Sequence, residues 1–175
     1  MDNKSESIAI NKIWALRISA WLPVFAFAIP FLITGPQLLT GTIVNTFLYI
    51  ASAKQLNRKS LYLIALLPSL GAVSNGILFG KFTPFLLFFI PSIWMGNMVL
   101  ILSFNKLKNA LFFPLNIILP SIFKTSVLYL TALVFTGIHL VPKIFLTSMG
   151  VFQLITAVAG GILTFSLFKI SKRLF

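Results

Sequence analysis

The chain alternates long apolar runs with short polar breaks, and this pattern predicts membrane-spanning helices. A helix that crosses a bilayer needs about 20 predominantly apolar residues. Six runs meet that length, and they cover residues 13–33, 37–53, 60–79, 84–104, 110–136 and 145–170. The fifth run is overlong and contains Pro114 and Pro120, so we expect that helix either to be tilted and kinked or to begin with an interfacial turn.

The pattern therefore predicts an all-α integral membrane protein with six transmembrane helices. We expect a polar tail over residues 1–12, followed by a single six-helix transmembrane domain over residues 13–175. The composition agrees, because 58% of the residues are hydrophobic, the mean hydropathy is +1.02 and 9% are charged. A soluble domain averages about 25% charged residues. The chain has no Cys, which excludes disulfides and thiol chemistry.

The positions of the cations predict the orientation of the helices. With six spans, eleven of the fourteen Lys and Arg residues fall on the side that also holds both termini, namely Lys4, Lys12, Arg17, Lys54, Arg58, Lys59, Lys106, Lys108, Lys169, Lys172 and Arg173. The opposite side has only Lys81 and Lys143. Cytoplasmic loops are enriched in Lys and Arg, so we expect both termini in the cytoplasm. The net charge of +12 then reflects topology and attraction to anionic lipid, and does not indicate nucleic-acid binding.

The remaining cation, Lys124, lies inside the fifth apolar run. Its distance from the polar break at Asn109 is roughly 22 Å along a helix, which places it in the outer half of the membrane. Charges in the membrane are costly and by default mark a functional site. The only acids, Asp2 and Glu6, are in the tail, so no carboxylate of the chain pairs with Lys124 there. One interpretation is that Lys124 snorkels to the outer headgroups. The other is that it faces a hydrated cavity and binds an anion.

Uncharged polar residues lie at a similar predicted depth. Asn45, Asn75 and Gln153 share the depth band of Lys124 when counted along their helices, and Trp94 and Asn97 lie near or below it. Amides in hydrocarbon need hydrogen-bond partners, so they face inward. Each could simply bond to a neighbouring helix. Together with the lysine, they predict one ligand pocket with Trp94 as a wall.

Small residues are spaced for close helix packing at two places. Gly76 and Gly80 are four residues apart, as are Ala157 and Gly161, with Gly160 beside the second pair. Such spacing lets helix backbones approach one another in a membrane. We expect helix contacts at both places.

The chain lacks the groups that most enzymes need. Its predicted spans contain no carboxylate, it has one histidine, His139, in a predicted outer loop, and it has neither a metal-binding motif nor a nucleotide-binding loop. We therefore expect no catalytic activity, no metal and no cofactor. Energy for any ATP-driven cycle would come from another polypeptide.

The six predicted spans in 175 residues contain three notable stretches, GPQLLTGTIVN at 35–45, LPSLG at 67–71 and IPSIWMGN at 90–97. In these features the chain resembles small bacterial membrane proteins related to the substrate-binding S components of energy-coupling factor transporters. The resemblance implies a multi-pass protein of the bacterial inner membrane, in which a vitamin or similar micronutrient binds in an outward-facing pocket. It also implies partners, namely a transmembrane coupling subunit and cytoplasmic ATPases. Typical members dock through alanines four apart in the first helix, and the nearest equivalent here is Ala15 and Ser19, with a serine in the second position.

The resulting hypothesis is a substrate-capture subunit that takes up a small anionic or amide-rich molecule. Its expected ligand-binding residues are Lys124, Asn45, Asn75, Asn97, Gln153 and Trp94. The alternative is a non-transporting scaffold or assembly factor, in which the amides and small residues serve helix contacts with another membrane protein.

Overall fold

A computed structural model describes residues 20–33, 35–77 and 80–174, and these residues are helical with short connections. The helices are α1 (Ala20–Leu32), α2 (Gln37–Ala53), α3 (Arg58–Asn75), a 3₁₀ helix (Gly80–Phe85), α4 (Leu86–Leu107), α5 (Phe113–Gly137), α6 (Ile144–Met149) and α7 (Val151–Leu174). The predicted all-α fold is confirmed for the described part of the chain. The sixth predicted run is two helices, because Gly150 interrupts it between α6 and α7.

Local sequence explains several helix ends. Pro36 precedes α2 and has no N–H to place in the first turn. The side chain of Asn57 accepts a hydrogen bond from the Ser60 N–H at 2.9 Å and so caps the start of α3. Gly76 ends α3 with φ +74°, a left-handed conformation that glycine adopts without strain.

The expected helix contact at Gly76 and Gly80 is wrong. Both glycines have positive φ, and a Cβ added to either would meet nothing within 4 Å. They therefore serve the turn between α3 and α4. The expected contact near Gly161 is confirmed, since a Cβ on Gly160 would lie 2.7 Å from Asn45 Cβ and 2.8 Å from the Thr46 amide nitrogen. α2 and α7 form the most extensive helix pair of the described bundle.

Three helical segments of the described chain are long and apolar enough to cross a membrane. They are Gly80–Leu107, Pro114–Gly137 and Ile144–Ile170. Of the other three predicted spans, α2 and α3 fall short of this standard, and the first is described only over Ala20–Leu32. The 17 residues of α2 rise only about 26 Å. α3 opens with Arg58 and Lys59, which lowers the apolar length available to it.

The bundle has two ends that differ in charge. Chain connectivity brings Lys54, Lys106 and Lys108 to one end, called here the Lys108 end, whereas Lys81 and Lys143 lie at the other, the Lys81 end. Each half has its own apolar cluster. The cluster of the Lys108 half includes Leu48, Ile64, Ala65, Leu100, Ile101 and Ile117. The cluster of the Lys81 half includes Ala72, Leu86, Phe89, Leu128, Ala132, Phe145 and Met149.

A layer of buried polar side chains separates the two clusters. The buried polar residues between them include Ser69 on α3, Asn97 on α4 and Lys124 on α5, and α2 adds Asn45. All four residues are buried. This polar layer positions the candidate site.

Candidate functional site

A cavity of about 90 Å³ lies in the polar layer and extends toward the Lys81 end. Each of the seven described α-helices contributes to its wall, from Pro30 in α1 to Gln153 in α7. The volume is enough for several water molecules or a compact ligand, since one water needs about 10–15 Å³ of such space. We call it the polar cavity.

Lys124 reaches this cavity from the middle of α5. Its side chain is 3% exposed, and its ammonium donates a hydrogen bond to Asn45 Oδ1 over 2.6 Å. It therefore does not snorkel to the surface of the bundle. The chain's only carboxylate side chains, Asp2 and Glu6, precede the described residues, so the described part of the bundle offers the ammonium no counter-charge.

Asn45 is held in one orientation by its other hydrogen bonds. Its Nδ2 donates to the Gly41 carbonyl at 2.9 Å and to Thr156 Oγ1 at 3.2 Å. Thr156 in turn donates to the Gln153 carbonyl at 3.1 Å. An ammonium can only donate, so the amide oxygen has to face Lys124, and both donor bonds agree with that assignment. The network ties α2 and α7 to the lysine of α5.

Two further polar groups in the wall have no hydrogen-bond partner among the described residues. They are Thr40 Oγ1 and Asn97 Oδ1, both fully buried, on residues that are 2% and 1% exposed. The Asn97 amide nitrogen is used, because it donates to the Ala65 carbonyl at 2.8 Å. Most buried polar groups in proteins are paired. Lys124 also has two ammonium protons left after its bond to Asn45.

The remaining polar wall includes one half-buried and one buried side chain. Gln153 lines the cavity half-buried, and Ser69 lines it from α3. Trp94 does not line the cavity, but its indole N–H donates to Ser69 Oγ at 2.8 Å and to the Leu66 carbonyl at 3.2 Å. Trp94 thus fixes the position of a wall residue.

The other expected site residues are elsewhere. Asn75 is outside the cavity wall, where its amide donates to the Phe31 carbonyl at 2.6 Å and its oxygen accepts from the Ile77 N–H at 3.0 Å. It joins the end of α1 to the end of α3. Ala15 and Ser19, the expected docking residues, lie outside the described residues.

Sequence reasoning missed the α2 residues beside Asn45. Gln37, Thr40 and Gly41 line the cavity together with Val44 and Asn45. Their spacing of three and four residues is the spacing of one helix face. The residues three or four positions apart on that helix face, toward the N-terminus from Asn45, are these ones.

Comparisons with protein-family models, curated proteins and solved structures give no match to this chain. The chemistry of the wall is therefore the basis for a function. It offers one ammonium, two hydroxyls and three amides, from Lys124, Thr40, Ser69, Gln37, Asn97 and Gln153 in addition to Asn45. Within the described residues, no group of three His, Cys, Asp or Glu side chains is placed to hold a metal ion. Such a wall suits the binding of a small polar molecule.

Proposed function

We propose that this chain is a six-helix, multi-pass protein of a bacterial cell membrane that captures a small anionic molecule in the polar cavity. It serves as the substrate-binding subunit of a micronutrient uptake transporter of the energy-coupling factor type. Both termini are cytoplasmic, so the cavity opens toward the outside. A coupling subunit and cytoplasmic ATPases supply the energy. The chain itself carries out no catalysis.

The observation that carries the proposal is the buried ammonium of Lys124, which faces a cavity and has no counter-charge in the described bundle. An uncompensated buried charge costs several kcal/mol, and an anionic ligand removes that cost. The amide oxygen of Asn45 supports the ammonium but cannot neutralise it.

The unpaired groups narrow the chemistry of the ligand. Asn97 Oδ1 needs a donor, whereas the Lys124 ammonium needs an acceptor, and the Thr40 hydroxyl can supply either role. A ligand that matches all three has an anionic group and a hydrogen-bond donor a few atoms away. The volume of about 90 Å³ favours a compact molecule.

Compact carboxylates test the anion-binding part of the proposal directly. We would measure the thermal unfolding of the purified protein with acetate, with glycolate and with chloride at equal ionic strength. Glycolate adds a hydroxyl donor to the carboxylate, so it should stabilise the protein most. Ethylene glycol is the neutral control and should have no effect. Equal curves for glycolate and for ethylene glycol, at the same ionic strength, would contradict an anion site.

Replacing Lys124→Met should weaken glycolate binding tenfold or more, because a hydrogen bond to a charged group contributes about 1.5–3 kcal/mol. Lys81→Met is the matched control, since Lys81 is an exposed lysine at the end of the bundle toward which the polar cavity extends. Its titration curve should match that of the unmodified protein. An equal affinity in the Lys124→Met variant would remove the lysine from the site.

The transport part of the proposal has a separate test. Affinity purification should recover a membrane coupling subunit and ATPases, and mass spectrometry of the purified protein should detect a bound anion.

A scaffold or assembly factor is the second candidate, and it is favoured by Asn75 and Asn97, whose amides bond to carbonyls of neighbouring helices. Recovery of an unrelated membrane enzyme without any bound small molecule would support the scaffold.

A further inference from the structure

A second cavity lies in the half of the bundle opposite the polar cavity. It has a volume of about 290 Å³ and is enclosed by α2, α4, α5 and α7 at the Lys108 end. Aromatic and aliphatic side chains make up most of its wall, including Phe104, Ile117 and Phe168. We call it the apolar cavity. Tyr49 lines it, and the Tyr49 hydroxyl bonds to the Ile117 carbonyl and to Ser121 Oγ, each at 3.0 Å, on the stretch of α5 between the two cavities.

One buried polar atom in this wall has no partner. Asn116 Oδ1 is fully buried, its residue is 7% exposed, and no hydrogen-bond partner exists for it among the described residues. An amide oxygen only accepts hydrogen bonds, so the missing partner is a donor such as a hydroxyl. The atom sits one turn inside the start of α5, close to the Lys108 end.

Two cations lie where this cavity meets the end of the bundle. Lys108 is half-buried and lines the cavity. The ammonium of Lys54 lies 5.1 Å from the centre of the Phe168 ring, which is part of the wall. No carboxylate occurs in the described residues to neutralise either cation. An anionic group at this rim is therefore favoured.

The apolar wall distinguishes a lipid from a free anion. Phe165 lines the cavity and is 43% exposed, so the cavity reaches the surface of the bundle. A free phosphate is too small and too polar to cover the apolar part of this wall. An acyl chain entering from the surface would cover it, and burial of its methylene groups is favourable.

We propose that the apolar cavity binds one anionic phospholipid with a hydroxyl-bearing headgroup, of the phosphatidylglycerol class. The phosphate lies beside Lys108 and Lys54, a headgroup hydroxyl donates to Asn116 Oδ1, and part of an acyl chain fills the apolar wall. This inference rests on the membrane location given under the proposed function. It is independent of transport and of the anion at Lys124.

Native mass spectrometry of the full-length protein, titrated with defined lipids, tests this site. Phosphatidylglycerol should bind with a stoichiometry of one, well ahead of phosphatidylcholine, which is neutral overall, and of phosphatidylethanol, which has the same charge and no headgroup hydroxyl. The Lys108→Gln change should weaken phosphatidylglycerol binding about fivefold, as expected for one lysine near an anionic headgroup. Lys106→Gln is the matched control. Lys106 is exposed on the same helix and does not line the cavity, so its loss should change the affinity less than twofold.

A second variant keeps the test decisive if the first is unstable. Asn116→Leu keeps the branched shape of the side chain and removes the unpaired oxygen, so it should abolish the preference for phosphatidylglycerol over phosphatidylethanol. Full competition by free glycerol 3-phosphate would show a headgroup site without a lipid chain and overturn the proposal. Equal losses in the Lys106→Gln and Lys108→Gln variants would also overturn it. Glycolate binding at the polar cavity is measured separately, so failure of the lipid-site proposal is distinguishable from failure of the anion-capture proposal.

Discussion

The two cavities of this bundle share four helices, α2, α4, α5 and α7, but offer different chemistry. The polar cavity has a fully buried ammonium, a fixed amide and two unpaired polar atoms within about 90 Å³. The apolar cavity is about three times larger, at about 290 Å³, and has mostly hydrocarbon walls with cations only at its rim. Under the two proposals, the charge inside the polar cavity selects an anionic ligand, whereas the charges at the rim of the apolar cavity select a lipid headgroup and leave the interior to an acyl chain.

The largest expected effect concerns the close contact between α2 and α7 in the wall of the polar cavity. Gly160→Ala should destabilise the protein by about 1–3 kcal/mol, because the new methyl group would overlap Asn45 Cβ and the Thr46 backbone. The free energy of unfolding in detergent measures the effect. Gly137→Ala is the matched control, because a Cβ there meets nothing within 4 Å. Similar losses in the two variants would contradict the close approach of α2 and α7.

The next test changes the charge of the polar cavity without touching Lys124. Asn45→Asp places a carboxylate where Oδ1 now lies 2.6 Å from the ammonium. The cavity then has its own counter-charge, so glycolate binding should weaken at least tenfold, which corresponds to about 1.4 kcal/mol. Phosphatidylglycerol binding at the other end should not change. An unaltered glycolate affinity would mean that the ammonium does not select anions.

The smallest expected effect concerns the boundary between the cavities. Tyr49→Phe removes one hydroxyl and leaves Ser121 bonded to the Ile117 carbonyl at 2.8 Å. The loss of a single hydrogen bond should lower the free energy of unfolding by about 0.5–1.5 kcal/mol, with both ligand affinities within twofold of the unmodified protein. Chemical denaturation and the two titrations measure these quantities. A large change in either affinity would show that the cavities communicate.

Much of the fold was predictable because hydrophobic runs and polar breaks determine where helices begin and end. The predicted bounds of α2, residues 37–53, are those observed. Side-chain direction was less predictable, since nearly every helix face is apolar. The predicted depth along each helix placed Asn45, Lys124 and Gln153 together, and all three line the cavity. The same criterion also placed Asn75 in the pocket, and Asn75 does not line it. Asn75 lies at a helix end, where its amide serves the chain connection instead.

The apolar cavity was beyond prediction for a related reason. Nothing in the spacing of Phe104, Ile117 and Phe168 distinguishes residues that surround a void from residues that fill a core. Asn116 was visible in the sequence, but its unpaired oxygen depends on which neighbours the packing brings near it. A pattern gives the face of a helix, whereas an empty volume depends on three or four helices at once.

The close approach at Gly160 also makes the wall of the polar cavity unequally stiff. Backbone contact and the Asn45 to Thr156 hydrogen bond join α2 and α7 into one rigid unit. The link from α2 to α6 is much lighter, a single 3.2 Å bond from Gln37 to the Ser148 carbonyl. The helix α2 is therefore held much more firmly against α7 than against α6, and the placement of one glycine accounts for that difference.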